Sequence, residues 1–577
     1  MNAGNLYLSR NKPVQDSTQQ LFSAAGYWLR VSGASLYRED EQAVMILYGY
    51  IYNADFNTGP AFWLELLQQT TPTLTHELNR LDGAYNLVLF NKADGRCSVF
   101  TDRLGGQRLY YHQNNTELWL STEFSVIADL LPTKNFDTNG VMETLHFRWL
   151  TGTDTAVKNV KKMPHAAVMQ LSLSHSPVTI MRFGLLPAKV KQTSKSMAEH
   201  VEHVQQLIAD NIVASITPGD KIAVLLSGGV DSAVLLAICC YLQLDVVAIT
   251  PVHEHHDNPE LETAKAFARE MGVEHRVIPI QNADITQLFS EVVQQLASAP
   301  RSHSALSLQL LVKQLSGEFN KVLYGEGADT LFGSRAVKRF GNRYNKHRAV
   351  RKVLNWLPGV NTVIPLLPIG TKVKALVNFD TNTAIAEEIA LTLSEDIYSS
   401  LANTLTLQPK TLLQQFNTDV ALLDGFDANV RMLKQSLFST DVVNHFYELY
   451  TLASAAKIQL VSPFACWPVM SYAAQLPDAL YFGEQFVKPV LRALGEKFYT
   501  AELMYLPKFG FPVPHKYWLS EPLKPLTQQA AEFFNVPNSW LDNAEMAWTL
   551  AGLYLLAKQW HISPLPLMKH VAGAVRN

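Results

Sequence analysis

The sequence predicts an α/β protein of two unlike parts: a β-rich N-terminal part, and a C-terminal part built on a doubly wound parallel sheet. Three observations predict this. Short alternating runs fill the chain up to about residue 185. Beyond that, apolar strand segments alternate with segments of helical periodicity. The stretch LLSGGVDSAVLL, Leu225–Leu236, joins a buried strand to a helix through a Ser-Gly-Gly turn.

In chain order, AVMILYGYIYN, AYNLVLF and GRCSVFTD have the period-two pattern of half-buried strands, separated by Asn, Asp and Gly. Residues 166–183, AAVMQLSLSHSPVTIMRF, form a closing hairpin. The polar run PAKVKQTSKSMAEH then marks a boundary, which divides the chain into domains at 1–190 and 195–577. AEHVEHVQQLIADNIVASI is an amphipathic helix, KIAVLLSG a buried strand and DSAVLLAICCYLQ a helix. DVVAITPV, NPELETAKAFAREMG and EHRVIPI complete a βαβαβ succession, which demands parallel strands and right-handed crossovers. From about 335 the chain reads as mainly helical, with an insert over about 335–440.

Composition bounds the function. The 577 residues are 47% hydrophobic and 17% charged, as in an ordinary globular chain. A net charge of −3 gives no reason to expect a nucleic-acid partner. The four cysteines form no CxxC pair and no disulfide framework, which favours a reducing compartment. No cationic-then-apolar leader opens the sequence, and Gln243, Asp245 and three prolines interrupt the most apolar windows. The expectation is a cytoplasmic protein with no membrane insertion.

The Ser227-Gly228-Gly229-Val230-Asp231-Ser232 turn falls where a helix exposes its first unpaired N–H groups. Glycines there let the backbone approach a phosphate, and hydroxyls add donors. A bare phosphate would repel Asp231, so that carboxylate is expected to act through Mg²⁺.

SGGVDS resembles the pyrophosphate loop of ATP pyrophosphatases, and other motifs narrow the likeness to asparagine synthetases. Those motifs are DNPELETAKAFAREMGVEH, YGEGADTLFG, KPVLRAL and PKFGFPVPHKYWLSEPL. YGYIYN, LDGAYNLVLF, DRLGGQRLYY and STEFSVI resemble the same family's glutaminase domain. The resemblance implies an Ntn-type αββα glutaminase-like domain followed by an ATP-pyrophosphatase domain with a helical extension. It implies ATP and Mg²⁺, with Asp231 and Asp329 holding the metal. Leu226, Ser227, Gly228, Gly229, Asp231, Ser232, Ile249, Tyr324 and Gly325 would bind the nucleotide. Lys488 would stabilise charge at the α-phosphate, and Glu326 would take the proton of an attacking amine.

Departures from the family pattern change the expected function. Asn2 stands where the glutaminase needs its nucleophilic Cys, and the nearest cysteine is Cys97. Tyr48 and Tyr50 replace the oxyanion-hole Asn and the following Glu. The N-terminal domain is therefore expected to fold without hydrolysing glutamine. Gln459, Val461, Ala465 and Cys466 replace the Glu, Arg, Leu and Asp of E-x-R-x-P-F-L-D, which implies an altered carboxylate substrate. Thr330 and Ser334 replace a Glu and a Gly.

Relatives lacking the cysteine include β-lactam synthetases and lasso-peptide macrolactam cyclases. The expectation is an amide synthetase acting on a small-molecule or peptide carboxylate with an amine. An intramolecular cyclase with a precursor-peptide or protease partner, an ammonia-fed asparagine synthetase, a non-catalytic scaffold and a homodimer all stay open. The basic run 335–352, with eight Lys or Arg, reads more readily as a solvated helix face than as a rim for an acidic substrate. HEHHD at 253–257 lacks the partners of a zinc site.

Overall fold

A computed structural model describes residues 5–9, 20–24, 27–32, 34–53, 59–114, 117–150, 152–171, 179–183, 195–253, 258–280, 284–346, 442–507 and 513–567. Asn2, most of the insert at 335–440, residues 347–352 of the basic run and residues 508–512 of the PKFGFPVP motif lie outside them.

Among the described residues, the N-terminal part contains two six-stranded sheets. One holds β1 (Asn5–Ser9), β2 (Gln20–Ala24), β3 (Tyr27–Ser32), β8 (Tyr110–Gln113), β9 (Glu117–Ser121) and β10 (Lys161–Lys162). The other holds β4 (Leu36–Glu39), β5 (Ala43–Ile51), β6 (Gly83–Asn91), β7 (Cys97–Thr101), β11 (Ala167–Leu171) and β12 (Thr179–Arg182). All their pairings are antiparallel, and β11 with β12 is the hairpin expected at 166–183.

Period two decides which residue faces which layer. Along β5, Val44, Ile46 and Tyr48 point between the sheets. Ala43, Met45 and Leu47 point outward, against Trp63 and Leu66 of α1 (Pro60–Gln68) and Leu74 and Leu78 of α2 (Thr71–Asn79). On the other sheet, Phe124 and Ile127 of α3 (Phe124–Ala128) and Val141, Met142 and Leu145 of α4 (Thr138–Phe147) pack with Tyr110. The result is four layers, αββα.

The C-terminal part opens on α5 (Met197–Ser215), started by a capping box between Ser196 and Glu199. Then come β13 (Ile222–Leu225), α6 (Val230–Tyr241), β14 (Val246–His253), α7 (Leu261–Met271), β15 (His275–Ile280), α8 (Ile285–Leu296), α9 (Ser304–Leu315) and β16 (Lys321–Leu323). With β17 (Gln459–Val461) the strands form one parallel sheet in the order β15-β14-β13-β16-β17. Chain direction across the sheet reverses between β13 and β16, so a crevice opens at their carboxyl ends. The SGGVDS turn, Tyr324, Gly325 and Glu326 border that crevice.

Among the described residues, the further helices of this part are α10 (Ala328–Phe332), α11 (Arg335–Lys346), α12 (Val443–Ala455), α13 (Trp467–Ala474), α14 (Pro489–Gly495), α15 (Ala501–Met504), α16 (His515–Ser520), α17 (Lys524–Phe534) and α18 (Ala544–Trp560). Among the described residues, no helix is long and apolar enough to cross a membrane.

The two parts share apolar cores. Ala84 and Leu104 join the core around the parallel sheet. The α3–α4 layer packs with Phe289 of α8 and Leu553 of α18. The Tyr50 hydroxyl donates to the carbonyl of Leu460 in β17 at 2.9 Å, so this tyrosine fastens one part to the other.

Candidate active site

The turn after β13 is shaped before any ligand arrives. Gly228 has φ +80°, and a Cβ there would come within 2.5 Å of the Glu260 carbonyl, so only glycine fits. Ser232 Oγ donates to the Gly229 carbonyl at 3.0 Å and accepts the Ser227 N–H at 3.1 Å. Its hydroxyl therefore braces the turn, while backbone at Gly228 and Gly229 lines the cavity beside it.

Two cavities meet at this turn. One, of about 300 Å³, is lined by Gly228, Gly229, Asp231, Asp329, Lys488 and Arg492 among others. The second, of about 350 Å³, is lined by Leu226, Ser227, Thr250, Tyr324, Gly325 and Glu326, and again by Asp231 and Asp329. The two aspartates belong to both. A triphosphate reaching across this boundary would put its phosphates on the glycine side and its nucleoside on the apolar side.

Lys488 binds the two aspartates together. Its Nζ lies 2.6 Å from both carboxylate oxygens of Asp231 and 2.6 Å from Oδ1 of Asp329. Lys488 is 2% exposed and caps α14 from the left-handed region, φ 62° and ψ 50°. Such a backbone is costly for a residue with a side chain and is found where neighbours over-determine it. Here the Lys488 N–H donates to the Tyr481 carbonyl at 3.0 Å. Arg492, one turn on, donates from Nε to the Val487 carbonyl at 3.0 Å and from Nη1 to that of Met504.

Glu326 faces the second cavity. Ser462 donates to its backbone carbonyl at 2.6 Å, and His445 Nδ1 stands 3.4 Å from its Oε1. Burial pushes the Glu326 carboxyl up, but the charge and hydrogen bond of His445 overcome it and hold the carboxyl below its usual range. Burial likewise opposes protonation of His445, and Glu326 reverses it, raising the imidazole.

The structure thus brings Ser227, Gly228, Gly229, Asp231, Asp329, Lys488, Tyr324, Gly325, Glu326 and Leu226 to one crevice. Ile249 is different: its side chain is wholly buried in the core beneath, and its neighbours Thr250 and Pro251 line the cavity. Arg335 and Arg339 are exposed, as expected of a solvated face in the basic run, but Arg335 has a second neighbourhood. It lines the phosphate-side cavity, and the Lys338 ammonium is held by the carbonyls of Gly483 and Glu484. His253 of HEHHD is buried against Ser307 Oγ at 2.9 Å, and residues 254–257 lie outside the described residues.

Sequence reasoning missed His445, Glu448 and Arg492. The first two are a histidine and a glutamate at i,i+3 on a largely buried apolar helix, a pattern that could have flagged them. Among the altered acceptor positions, Val461, Ala465 and Cys466 are buried. Asp82 of the N-terminal part, paired with Arg103 at 2.8 Å, accepts the Trp467 N–H beside them. In the N-terminal sheets, Cys97 is fully buried, and burial pushes its thiol up to about 12.

A glycine turn at the switch point of a five-stranded parallel sheet, with two aspartates and a lysine at its mouth, defines a nucleotide-using α/β enzyme of the ATP-pyrophosphatase type. The asparagine synthase family pattern matches residues 203–543, more than half of the chain, and the glutamine amidotransferase domain pattern matches residues 65–181. The chain belongs to the asparagine synthase family, and it is an ATP-using enzyme that forms carbon–nitrogen bonds.

It is 21% identical over 511 residues to the glutamine-hydrolysing asparagine synthetase 1 of Bacillus subtilis, covering 85% of this chain and 77% of that one. It is 26% identical over 300 residues to the carboxyethyl-arginine beta-lactam-synthase of Streptomyces clavuligerus, covering 49% of this chain and 54% of that one. A solved NH3-dependent NAD synthetase from Campylobacter jejuni aligns with 39% of this chain and 93% of its own, at 14% identity and a TM-score of 0.19.

Proposed function

We propose that the protein is an amide synthetase that adenylates a substrate carboxylate and passes the acyl group to an amine without hydrolysing glutamine. One observation carries the reading: a single buried ammonium spans the two carboxylates where the two cavities meet.

A carboxylate is a poor acyl donor at neutral pH. In the first step its oxygen attacks the α-phosphorus of ATP, and the bond to the bridging oxygen of the β-phosphate breaks. Pyrophosphate leaves and an acyl-adenylate remains. In the second step the amine nitrogen attacks the carbonyl carbon, the bond to AMP oxygen breaks, and the amine proton passes to Glu326. Lys488, desolvated and fixed, would meet the charge that builds on the α-phosphate. Backbone N–H groups of the glycine turn would hold the departing pyrophosphate.

Asp231 and Asp329 fit Mg²⁺ as a pair of hard oxygen donors beside the phosphate cavity. Among the described residues no group of three or more His, Cys, Asp or Glu forms a metal site, so substrate oxygens and water would complete the shell. The ion would supply charge neutralisation on the pyrophosphate.

Glutamine independence is supported by Asn2, Tyr48 and Tyr50 at the glutaminase positions and by the inaccessible Cys97 thiol. The altered residues 459–466 favour a carboxylate other than free aspartate. The likeness to a beta-lactam-synthase favours, as a second reading, an amine already attached to the substrate, as in a macrolactam cyclase. In either reading Asp231, Asp329, Glu326 and Lys488 are all retained, which speaks against a non-catalytic scaffold.

The test is pyrophosphate release from Mg-ATP across a panel of amino acids and peptides bearing free carboxylates. Release that depends on one carboxylate and is lost in Asp231→Ala supports the reading. ATP consumption indifferent to every carboxylate contradicts it. Asparagine made from aspartate, ammonium and ATP would assign the ammonia-fed alternative instead.

A further inference from the structure

Helix α12 enters the site with two polar anchors one turn apart on an otherwise largely buried face. The Glu448 carboxylate accepts the backbone N–H of Arg301 and, at 3.2 Å, that of Ser302. These bonds pin the helix to the turn leading into α9. One turn earlier on the same helix, His445 reaches Glu326. Glu326 is fixed from the other side, because Ser462 donates to its carbonyl from the end of β17. The two side chains are 16% and 21% exposed, so their attraction is only partly screened.

We propose that His445 is a positioning residue acting through Glu326: it pairs with the carboxylate, keeps it ionised and aims it into the nucleotide cavity. The proposal rests on the reading above only for the role of Glu326. An amine nitrogen becomes strongly acidic once it bonds to the acyl carbon, so a carboxylate suffices as acceptor provided it is ionised and in place. Burial alone would favour the neutral acid. Asp329 also pushes the Glu326 carboxyl toward neutrality, and Arg301 opposes it. Around His445, Arg301 disfavours the charged ring while Glu448 and Glu326 favour it. The ion pair is what decides between these opposing influences.

The experiment uses the full chain labelled with 13C at histidine Cε1, titrated by NMR in the native protein and in Glu326→Gln. Of the 17 histidines, the signal absent from His445→Gln identifies His445. The expected result is a His445 midpoint above 6.5 in the native chain that falls below 6.5 in Glu326→Gln. Matching near-ultraviolet circular dichroism would show that both variants keep the native packing. A midpoint at or below 6.5 in the native chain, or one unmoved by Glu326→Gln, would overturn the proposal. Loss of this signature with carboxylate-dependent pyrophosphate release intact removes this inference alone. An intact signature with no pyrophosphate release from any carboxylate removes the amide-synthetase reading alone.

Discussion

The ammonium of Lys488 stands 2.6 Å from both oxygens of Asp231, although the two residues are 257 positions apart in the chain. The lysine holds this contact from a left-handed backbone at the mouth of α14, and Asp231 lies in the first turn of α6. Replacing the lysine leaves a mostly buried carboxylate without its cation and, on the proposed reading, the α-phosphate without its fixed positive charge. Lys488→Met should lower pyrophosphate release by about 10²- to 10³-fold. It should also destabilise the fold by about 3 kcal/mol in urea denaturation, the cost of breaking a buried pair from one side.

Acid and base act on the Glu326–His445 pair from opposite ends. The Glu326 pKa is lowered, so its contribution to stability is present above the unfolded carboxylate pKa and is lost as pH falls through the folded value. The His445 pKa is raised, so its contribution is complete below the unfolded imidazole pKa and is lost as pH rises through the folded value. Both are complete between about pH 4.5 and 6.5. The stability difference between the native chain and Glu326→Gln, measured by urea titration at several pH values, should be largest in that window and shrink on either side.

Asp102 has a folding role inside a stretch quoted above for its family likeness. Its carboxylate accepts the backbone N–H groups of Leu104 at 2.9 Å, Gly106 at 3.0 Å, Gln107 at 3.1 Å and Tyr85 at 3.2 Å. It shapes the loop that carries Leu104 into the core around the parallel sheet. Asp102→Ala strands several buried donors and should cost about 3 kcal/mol or more in urea denaturation, with the aggregate cost set by how many of them reach water.

Much of this architecture was legible because period and turn chemistry are local. SGGVDS announced a strand–turn–helix, and the βαβαβ succession implied the parallel sheet that β13, β14 and β15 form. Motif likeness supplied Lys488 and Asp329, which no local pattern would have paired with Asp231. What stayed hidden depends on long-range packing. The contact between His445 and Glu326 bridges 119 positions across the insert, and the burial of Ile249 beneath the cavity is set by sheet geometry rather than by its neighbours in sequence. Arg335 reads as one more charge in a basic run until the fold turns it toward the phosphate cavity.

The N-terminal sheets should make no glutamate from glutamine. Cys97 is fully buried in β7 and its thiol is pushed up to about 12, so it is no nucleophile near neutral pH. Cys97→Ser should leave carboxylate-dependent pyrophosphate release unchanged within about twofold, at a stability cost on the order of 1 kcal/mol for burying a hydroxyl. Glutamate release from glutamine, followed by chromatography, should be absent from both proteins.

The most direct measurement follows an oxygen atom. Substrates labelled with 18O in the carboxylate, offered with Mg-ATP and an amine donor, should yield AMP carrying one 18O, because the acyl oxygen that attacked phosphorus leaves with it. Unlabelled AMP, or ADP and phosphate in place of AMP and pyrophosphate, would contradict an adenylated intermediate at the Asp231–Lys488–Asp329 crossing.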